Sequence, residues 1–469
     1  MRSLKTLLIA ALVLGTVSAV QAELQNVEVG GSVRIRGNWF DLDENPFFNG
    51  GEDSAFVEQR TRLNVKADFT DEVSVFIEFD DYSIWGDAFR ANPYTGLDGA
   101  GGADVALYQS YIEVNNAWGL PIRTRIGRQE IELGSEWLVG NQDASSIYTG
   151  LSFDGIRTTY TADSFTVDAM SLKLNESFED FGDGDVNLYG IYGSYIGLED
   201  WQFDAYWMYV TENEDDRTGL APIGNAVFGL GTSDADLHTI GLRGAGTYGA
   251  FDLESEVAFQ FGDVERLDPG FFNFFGDNDL DYDAFAFNLE AGYTFDITWT
   301  PRVYLGAAFF EGGDQGQNNG FFGNNNNNDL SFNRLFSNWE YSEFLENGEL
   351  SNSIIYRAGV SAMPTEKISL LLAATYFQAD EETDLGFNGF GIFDWFNNDG
   401  DDNEGIEVGL YGDYQYSEDL VFRAGYAHFF GDDGLEDGNF ILNNGLAAML
   451  DDNDGGEYNY LFWEAEISF

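Results

Sequence analysis

Apolar and polar residues alternate one for one through most of this chain. Between 27 and 39, Val27, Val29, Val33, Ile35 and Trp39 share one face, and Glu28, Ser32, Arg34, Arg36 and Asn38 share the other. From 57 to 69, Leu63, Val65, Ala67 and Phe69 oppose Glu58, Arg60, Arg62, Asn64, Lys66 and Asp68. Residues 251–261, 285–295 and 406–416 repeat the pattern. A period of two is that of β-strands, whose side chains point to opposite faces in turn. Each run has the length of a tilted membrane-crossing strand, roughly 9–11 residues, whereas strands of soluble sheets average about 5–6. The polar face carries more charge than a dry interior tolerates. A wide barrel with a wet lumen holds it.

The pattern predicts an all-β fold, a transmembrane antiparallel β-barrel of about 18 strands. They start near residues 27, 56, 73, 105, 122, 153, 164, 185, 201, 237, 251, 284, 302, 353, 368, 406, 420 and 458. Short connections such as Thr70-Asp71-Glu72, Tyr248-Gly249-Ala250 and Ser417-Glu418-Asp419 alternate with long ones at 40–55, 83–104, 132–152, 213–236, 262–283, 311–352, 379–405 and 431–457. Short periplasmic turns and long acidic extracellular loops are the expected arrangement, with both termini on the short-turn side. Length alone makes 311–352 and 379–405 the candidate plugs. The last strand places Leu461, Trp463, Ala465, Ile467 and terminal Phe469 on one face. Such an ending resembles the signal read by the barrel assembly machinery, an expected partner.

The first residues follow another rule. Arg2 and Lys5 precede an apolar run from Leu7 to Val20, then Val20-Gln21-Ala22 and Glu23. This reads as a signal peptide at 1–22, with the barrel at 23–469. No later apolar run reaches the length of a membrane helix. The outer membrane, with its lipid and lipopolysaccharide, is the expected location.

Composition narrows the chemistry. With 82 Asp+Glu against 21 Lys+Arg, the net charge of −61 excludes nucleic acid as a partner. An aromatic content of 16% argues against disorder. There is no Cys, and His238 and His428 are the two histidines, so no catalytic, cofactor or transition-metal site is expected. Ser110, Asp236 and His238 lack a nucleophile motif, and an enzyme is not expected. Asp277, Asp279, Asp281 and Asp283, and Asp452, Asp454 and Glu457, have spacing like that of calcium loops without the full pattern.

Scarce cations fall mostly within the predicted strands. A basic side chain facing lipid at mid-membrane costs about 2–4 kcal/mol, so they should face the lumen. Alternation assigns Arg34, Arg36, Arg60, Arg62, Lys66, Arg157, Arg243 and Arg357 to the lumen face; it is less clear for Arg128 and Arg423, either of which a bulge could re-aim. Two readings stay open. Guanidinium groups in a narrow pore favour anions. Equally, Glu78 and Asp80 could pair with Arg60 and Arg62, and Glu464 and Glu466 with Arg34 and Arg36, as wall scaffolding.

Residues 108–160 carry a more specific signal: Tyr108-Gln109-Ser110-Tyr111, Arg125-Ile126-Gly127-Arg128-Gln129-Glu130, Gly134, Leu138-Val139-Gly140-Asn141 and Phe153-Asp154-Gly155-Ile156-Arg157. This stretch resembles the alginate export family of outer-membrane porins. The resemblance implies a monomeric 18-stranded barrel whose Arg-rich constriction passes an acidic polysaccharide, with Arg125, Arg128, Asp154 and Arg157 in the lumen near it. The chain departs from the family at Leu133-Gly134-Ser135-Glu136 and at Ala144 after Asp143. The expected function is an outer-membrane channel for an acidic polysaccharide, oligosaccharide or other anionic solute. The alternatives are a general diffusion porin and a barrel-anchored surface or structural protein.

Overall fold

The computed structural model describes residues 25–42, 54–86, 105–143, 150–176, 185–212, 232–266, 279–313, 329–344, 350–381, 402–432, 434 and 457–469. Residues 1–22, expected to be a signal peptide, lie outside them.

In chain order the strands are β1 (Asn26–Leu42), β2 (Ser54–Asp68), β3 (Val73–Ile84), β4 (Ala106–Val114), β5 (Ile122–Gln129) and β6 (Phe153–Thr161). Then come β7 (Phe165–Asn175), β8 (Val186–Leu198), β9 (Trp201–Glu212), β10 (Thr232–Tyr248), β11 (Phe251–Arg266), β12 (Asp279–Thr294) and β13 (Arg302–Phe310). The rest are β14 (Asp329–Leu330), β15 (Ser353–Thr365), β16 (Ile368–Ala379), β17 (Asn403–Gln415), β18 (Leu420–Gly431) and β19 (Glu457–Ser468). All but β14 are staves, each antiparallel to its chain neighbours, and β1 pairs with both β2 and β19. The sheet therefore closes on itself as an 18-stave barrel, and every predicted strand is present. β14 is no stave; it lies parallel beside β12. Closure leaves no open edge, which a bilayer would not tolerate. Ser32 pairs with Ser468, and Gly31 and Phe469 exchange backbone hydrogen bonds, so the first and last staves meet at the short-turn end.

Register fixes which residues see lipid. Val27, Val29, Leu63, Val65, Ile126, Ile156, Leu242, Leu305, Leu410, Leu461 and Trp463 are exposed on the outer face, while Arg34, Arg36, Arg60, Arg62, Asp204, Glu256, Glu407 and Glu464 are buried on the inner one. Aromatic residues gather at both ends of the wall. Tyr160 packs on Phe165, and Phe251 on Tyr293, near the short turns. Trp207, Tyr209, His238 and Phe261 stack toward the long loops. Two such girdles bounding an apolar band are a property of outer-membrane barrels.

The interior is not empty. Segments 131–143 and 329–344 touch staves on widely separated parts of the circumference, so both cross the lumen. Asn333 exchanges two hydrogen bonds with the side chain of Gln260 on β11, while Ser342 and the Glu343 amide bond Glu407 on β17. Phe344 packs on Phe429, Tyr458 and Tyr460. The two segments are stitched together by a bridge between Val139 and Phe336. Inward-facing Leu172, Leu188, Val210, Leu237, Ala286 and Phe310 form one buried cluster with Ile131, Trp137, Leu138, Phe332 and Tyr341. The expectation that 311–352 could fold inward holds for its described part; 379–405 lies mostly outside the described residues, as do Asp277, Asp452 and Asp454, while Asp279, Asp281 and Asp283 lie on β12 and Glu457 on β19.

Candidate solute path

The inner wall is lined with arginines held by carboxylates on neighbouring staves. Arg125 donates to Glu113 at 2.6 Å, and Arg157 to Asp168 at 2.9 Å. Arg243 bonds Asp204 at 2.7 Å and Glu254 at 2.9 Å. Arg302 pairs with Asp252 and Glu290, and Arg423 with Glu464 and Glu466. Lys66 faces inward near Asp68, 3.6 Å away. Cross-strand neighbours on one face meet in this way whenever opposite charges stand opposite each other. The wall pairs foreseen from sequence form at Arg62 with Asp80, 2.7 Å, and at Arg34 with Glu464, 2.8 Å.

Two inward arginines differ. Among the described residues, neither Arg123 nor Arg357 has a carboxylate within ion-pair distance. Arg123 reaches Thr159 at 3.4 Å. Arg357 lies 5.5 Å from the Tyr341 ring centroid, and its Nε is buried without an acceptor.

The tightest cluster sits where segment 131–143 meets the wall. Arg34, Arg60 and Arg62 all donate from Nη1 to the Asp143 carboxylate, Arg34 at 3.2 Å and Arg62 at 2.9 Å. Arg62 also lies on the Tyr108 ring and 3.6 Å from Glu130. Burial raises the Glu130 carboxyl above its usual range, opposed by the Tyr108 hydroxyl and the charge of Arg62. Arg36 stacks on Phe462 and stands 3.9 Å from both Glu343 and Glu464.

Sequence reasoning placed Arg128 and Asp154 in the lumen. They stand instead on the outer face with Ile126 and Ile156, joined by two hydrogen bonds of 2.8 and 2.7 Å. The reason is parity. Residues 125 and 128 are three apart on a strand whose register with β6 runs unbroken, so they take opposite faces. Lys173 follows Asp154 onto this face, pairing with Asp185 at 2.7 Å. Arg34, Arg36, Arg60, Arg62, Lys66, Arg125, Arg157, Arg243 and Arg357 face inward as expected.

The family-like residues build the point where the chain leaves the wall. Gly127 pairs with Gly155, and the Gln129 amide, fully buried, donates to both glycine carbonyls at 3.3 and 3.4 Å. Phe153 meets Phe336 edge-on, anchoring the second segment there. Arg302 and Asp143 were not foreseen. Arg302 begins a strand, where alternation is least legible, and Asp143 lies in a loop with no period at all.

Comparisons with known proteins agree with this architecture. Solved structures of similar fold include OccAB1 of Acinetobacter baumannii, with a TM-score of 0.54 at 12% identity over 96% of this chain and 99% of that one. OccK8 (OprE) of Pseudomonas aeruginosa gives 0.53 at 12% identity, covering 94% and 98%. OpdL of Pseudomonas aeruginosa gives 0.53 at 9%, covering 95% and 99%. A search of curated proteins finds no match. The sequence model of the alginate export family matches residues 25–448, so this outer-membrane barrel belongs to the alginate export family.

Proposed function

We propose that this outer-membrane channel passes an anionic solute, an acidic polysaccharide or oligosaccharide being the class that its family and its wall favour. The observation that carries the reading is the pair Arg123 and Arg357. Both face the interior with no carboxylate within ion-pair distance among the described residues, in a chain whose net charge is −61. Eight staves lie between β5 and β15 on either side of a ring of 18, so the two stand on opposite walls. Unneutralised guanidinium in a narrow low-dielectric passage attracts anions and binds carboxylate in a fork geometry. The inner-facing residues Arg34, Arg36, Arg60, Arg62, Lys66, Arg125, Arg157 and Arg243 line the same path. Their carboxylate partners favour a second reading, a general porin with a salt-bridged wall.

Reversal potentials across a KCl gradient in planar bilayers separate the two. Anion preference that falls several-fold in Arg123→Ala with Arg357→Ala supports the first reading. Cation preference in wild type, unchanged by the substitutions, supports the second. The same proposal has residues 1–22 direct export, the barrel assembly machinery read the strand ending at Phe469, and a single copy of the chain form the pore.

A further inference from the structure

We infer that Arg34, Arg60 and Arg62 form a carboxylate-binding site on the wall, that Asp143 fills it from within, and that a carboxylate of the passing solute takes Asp143's place. The inference rests on the reading of the channel as an anion path, and it adds how that path opens.

The site exists without its occupant. Nε of Arg34 is held by Glu464 at 2.8 Å, and Nε of Arg62 by Asp80 at 2.7 Å. Both of those carboxylates belong to staves, so the guanidinium planes are fixed by the barrel itself. The Nη1 atoms of Arg34, Arg60 and Arg62 all turn to one carboxylate. Two of the three donors, those of Arg34 and Arg62, are thus fixed in advance around a single point, as in a receptor.

The occupant, by contrast, is on a loop and on the water side. The three arginine side chains are 3–8% exposed, whereas Asp143 is 21% exposed. Asp143 is thus the more accessible member of the cluster, and a solute carboxylate would approach from its side. Asp143 is also presented at a cost. Gln142 before it has φ 48°, a left-handed backbone that a non-glycine residue holds only under constraint. Another carboxylate restores the three side-chain hydrogen bonds that Asp143 gives up. A neutral sugar cannot make the exchange, because it brings no charge to three guanidinium groups. Segment 131–143 would then lose its tie to the arginines and keep its bridge to Phe336 and its far-side bonds, where Ser135 meets Glu256 and Trp137 meets Tyr341.

The test is single-channel recording of the whole barrel in KCl, with glucuronate as the probe and glucose as the neutral control. Glucuronate is expected to raise the open probability of wild type several-fold, and glucose to leave it unchanged. Asp143→Asn should start in the open condition and not respond, while Asp143→Glu should respond as wild type does. Heat-shifted gel mobility checks that each variant is a folded barrel. The wild-type arm needs no variant: a wild-type channel indifferent to glucuronate overturns the exchange. So does Asp143→Asn with wild-type opening. Reversal potentials keep the two readings apart. Anion preference without the glucuronate response sinks the exchange and leaves the anion path standing. The response with a cation preference upholds the exchange and removes the anion path.

Discussion

The indole N–H of Trp137 donates to the Tyr341 hydroxyl at 2.9 Å, and that hydroxyl lies 3.0 Å from Asn288 on β12. One bond thus joins the two lumen segments, and the next joins them to the wall. Trp137 is fully buried against Phe310 and Phe332. Truncating a buried Trp to Ala costs about 3–5 kcal/mol. Here the loss falls on the plug and not on the barrel, whose ladders do not involve residue 137. Trp137→Ala is expected to raise single-channel conductance and to expose 131–143 to protease, while the heat-shifted gel band of the intact barrel persists. Tyr341→Phe should cost less, about 1 kcal/mol for the hydrogen bonds.

Gly127 fixes how closely β4 and β5 approach. A Cβ there would lie 2.2 Å from the Ser110 carbonyl oxygen and 2.9 Å from the Tyr111 Cα, both backbone atoms of the paired stave. Its φ of 130° is a conformation that other residues resist. Gly127→Ala therefore forces two bonded staves apart and adds a backbone cost of about 1–3 kcal/mol. It should lower the urea midpoint of the barrel sharply and reduce the folded gel band. Gly119→Ala is the control. Gly119 also has positive φ, 73°, but a Cβ there meets nothing within 4 Å. It should carry the backbone cost alone, about 1–2 kcal/mol, with no clash added.

The staves were legible because lipid on one side and water on the other impose a period of two. Where the inner side is not water, the code fails. Toward the long loops β8 is apolar on both faces: Val186 and Leu188 are buried against the plug while Tyr189 and Ile191 are exposed outside. That loss of alternation was the trace of the plug, and it was readable as a strand but not as a plug. The lumen cations were legible wherever one residue separated them, as in Arg34 with Arg36 and Arg60 with Arg62. Arg128 was misplaced because a family motif was followed against parity. Asp143 was invisible, since nothing local links a loop carboxylate to arginines 81 to 109 residues away.

The outer-wall pair follows from that parity. Arg128 and Asp154 face away from the lumen, so removing both should leave ion selectivity unchanged. An exposed basic residue on the lipid face costs about 2–4 kcal/mol at mid-membrane and about 0–1 kcal/mol near the interface. Replacing both by Leu should leave the urea midpoint level or raise it. Asp154→Leu alone strands Arg128 against lipid and should lower it. A double-mutant cycle in liposomes checks the sign of the coupling. A changed reversal potential in the double variant would place this pair in the path after all.

Glu343 makes docking of segment 329–344 depend on pH. Burial, with the charges of Glu340 and Glu407 beside it, pushes its carboxyl up to about 8, opposed by Arg36 and a hydrogen bond with Tyr411. The ordinary value is 4.5. The docked segment thus binds a proton that the released segment gives up. In linkage terms the state that binds more protons is favoured at low pH. Docking is fully supported below about 4.5 and weakens as pH rises from there toward about 8, where Glu343 ionises in place among like charges. Conductance is therefore expected to be low at pH 5 and to rise up to pH 9. Glu343→Gln keeps the neutral form at every pH, since its amide cannot ionise. It should hold the low conductance at pH 9 and flatten the profile. A wild-type profile that falls with rising pH, or a Glu343→Gln profile as steep as wild type, would remove Glu343 from control of the segment.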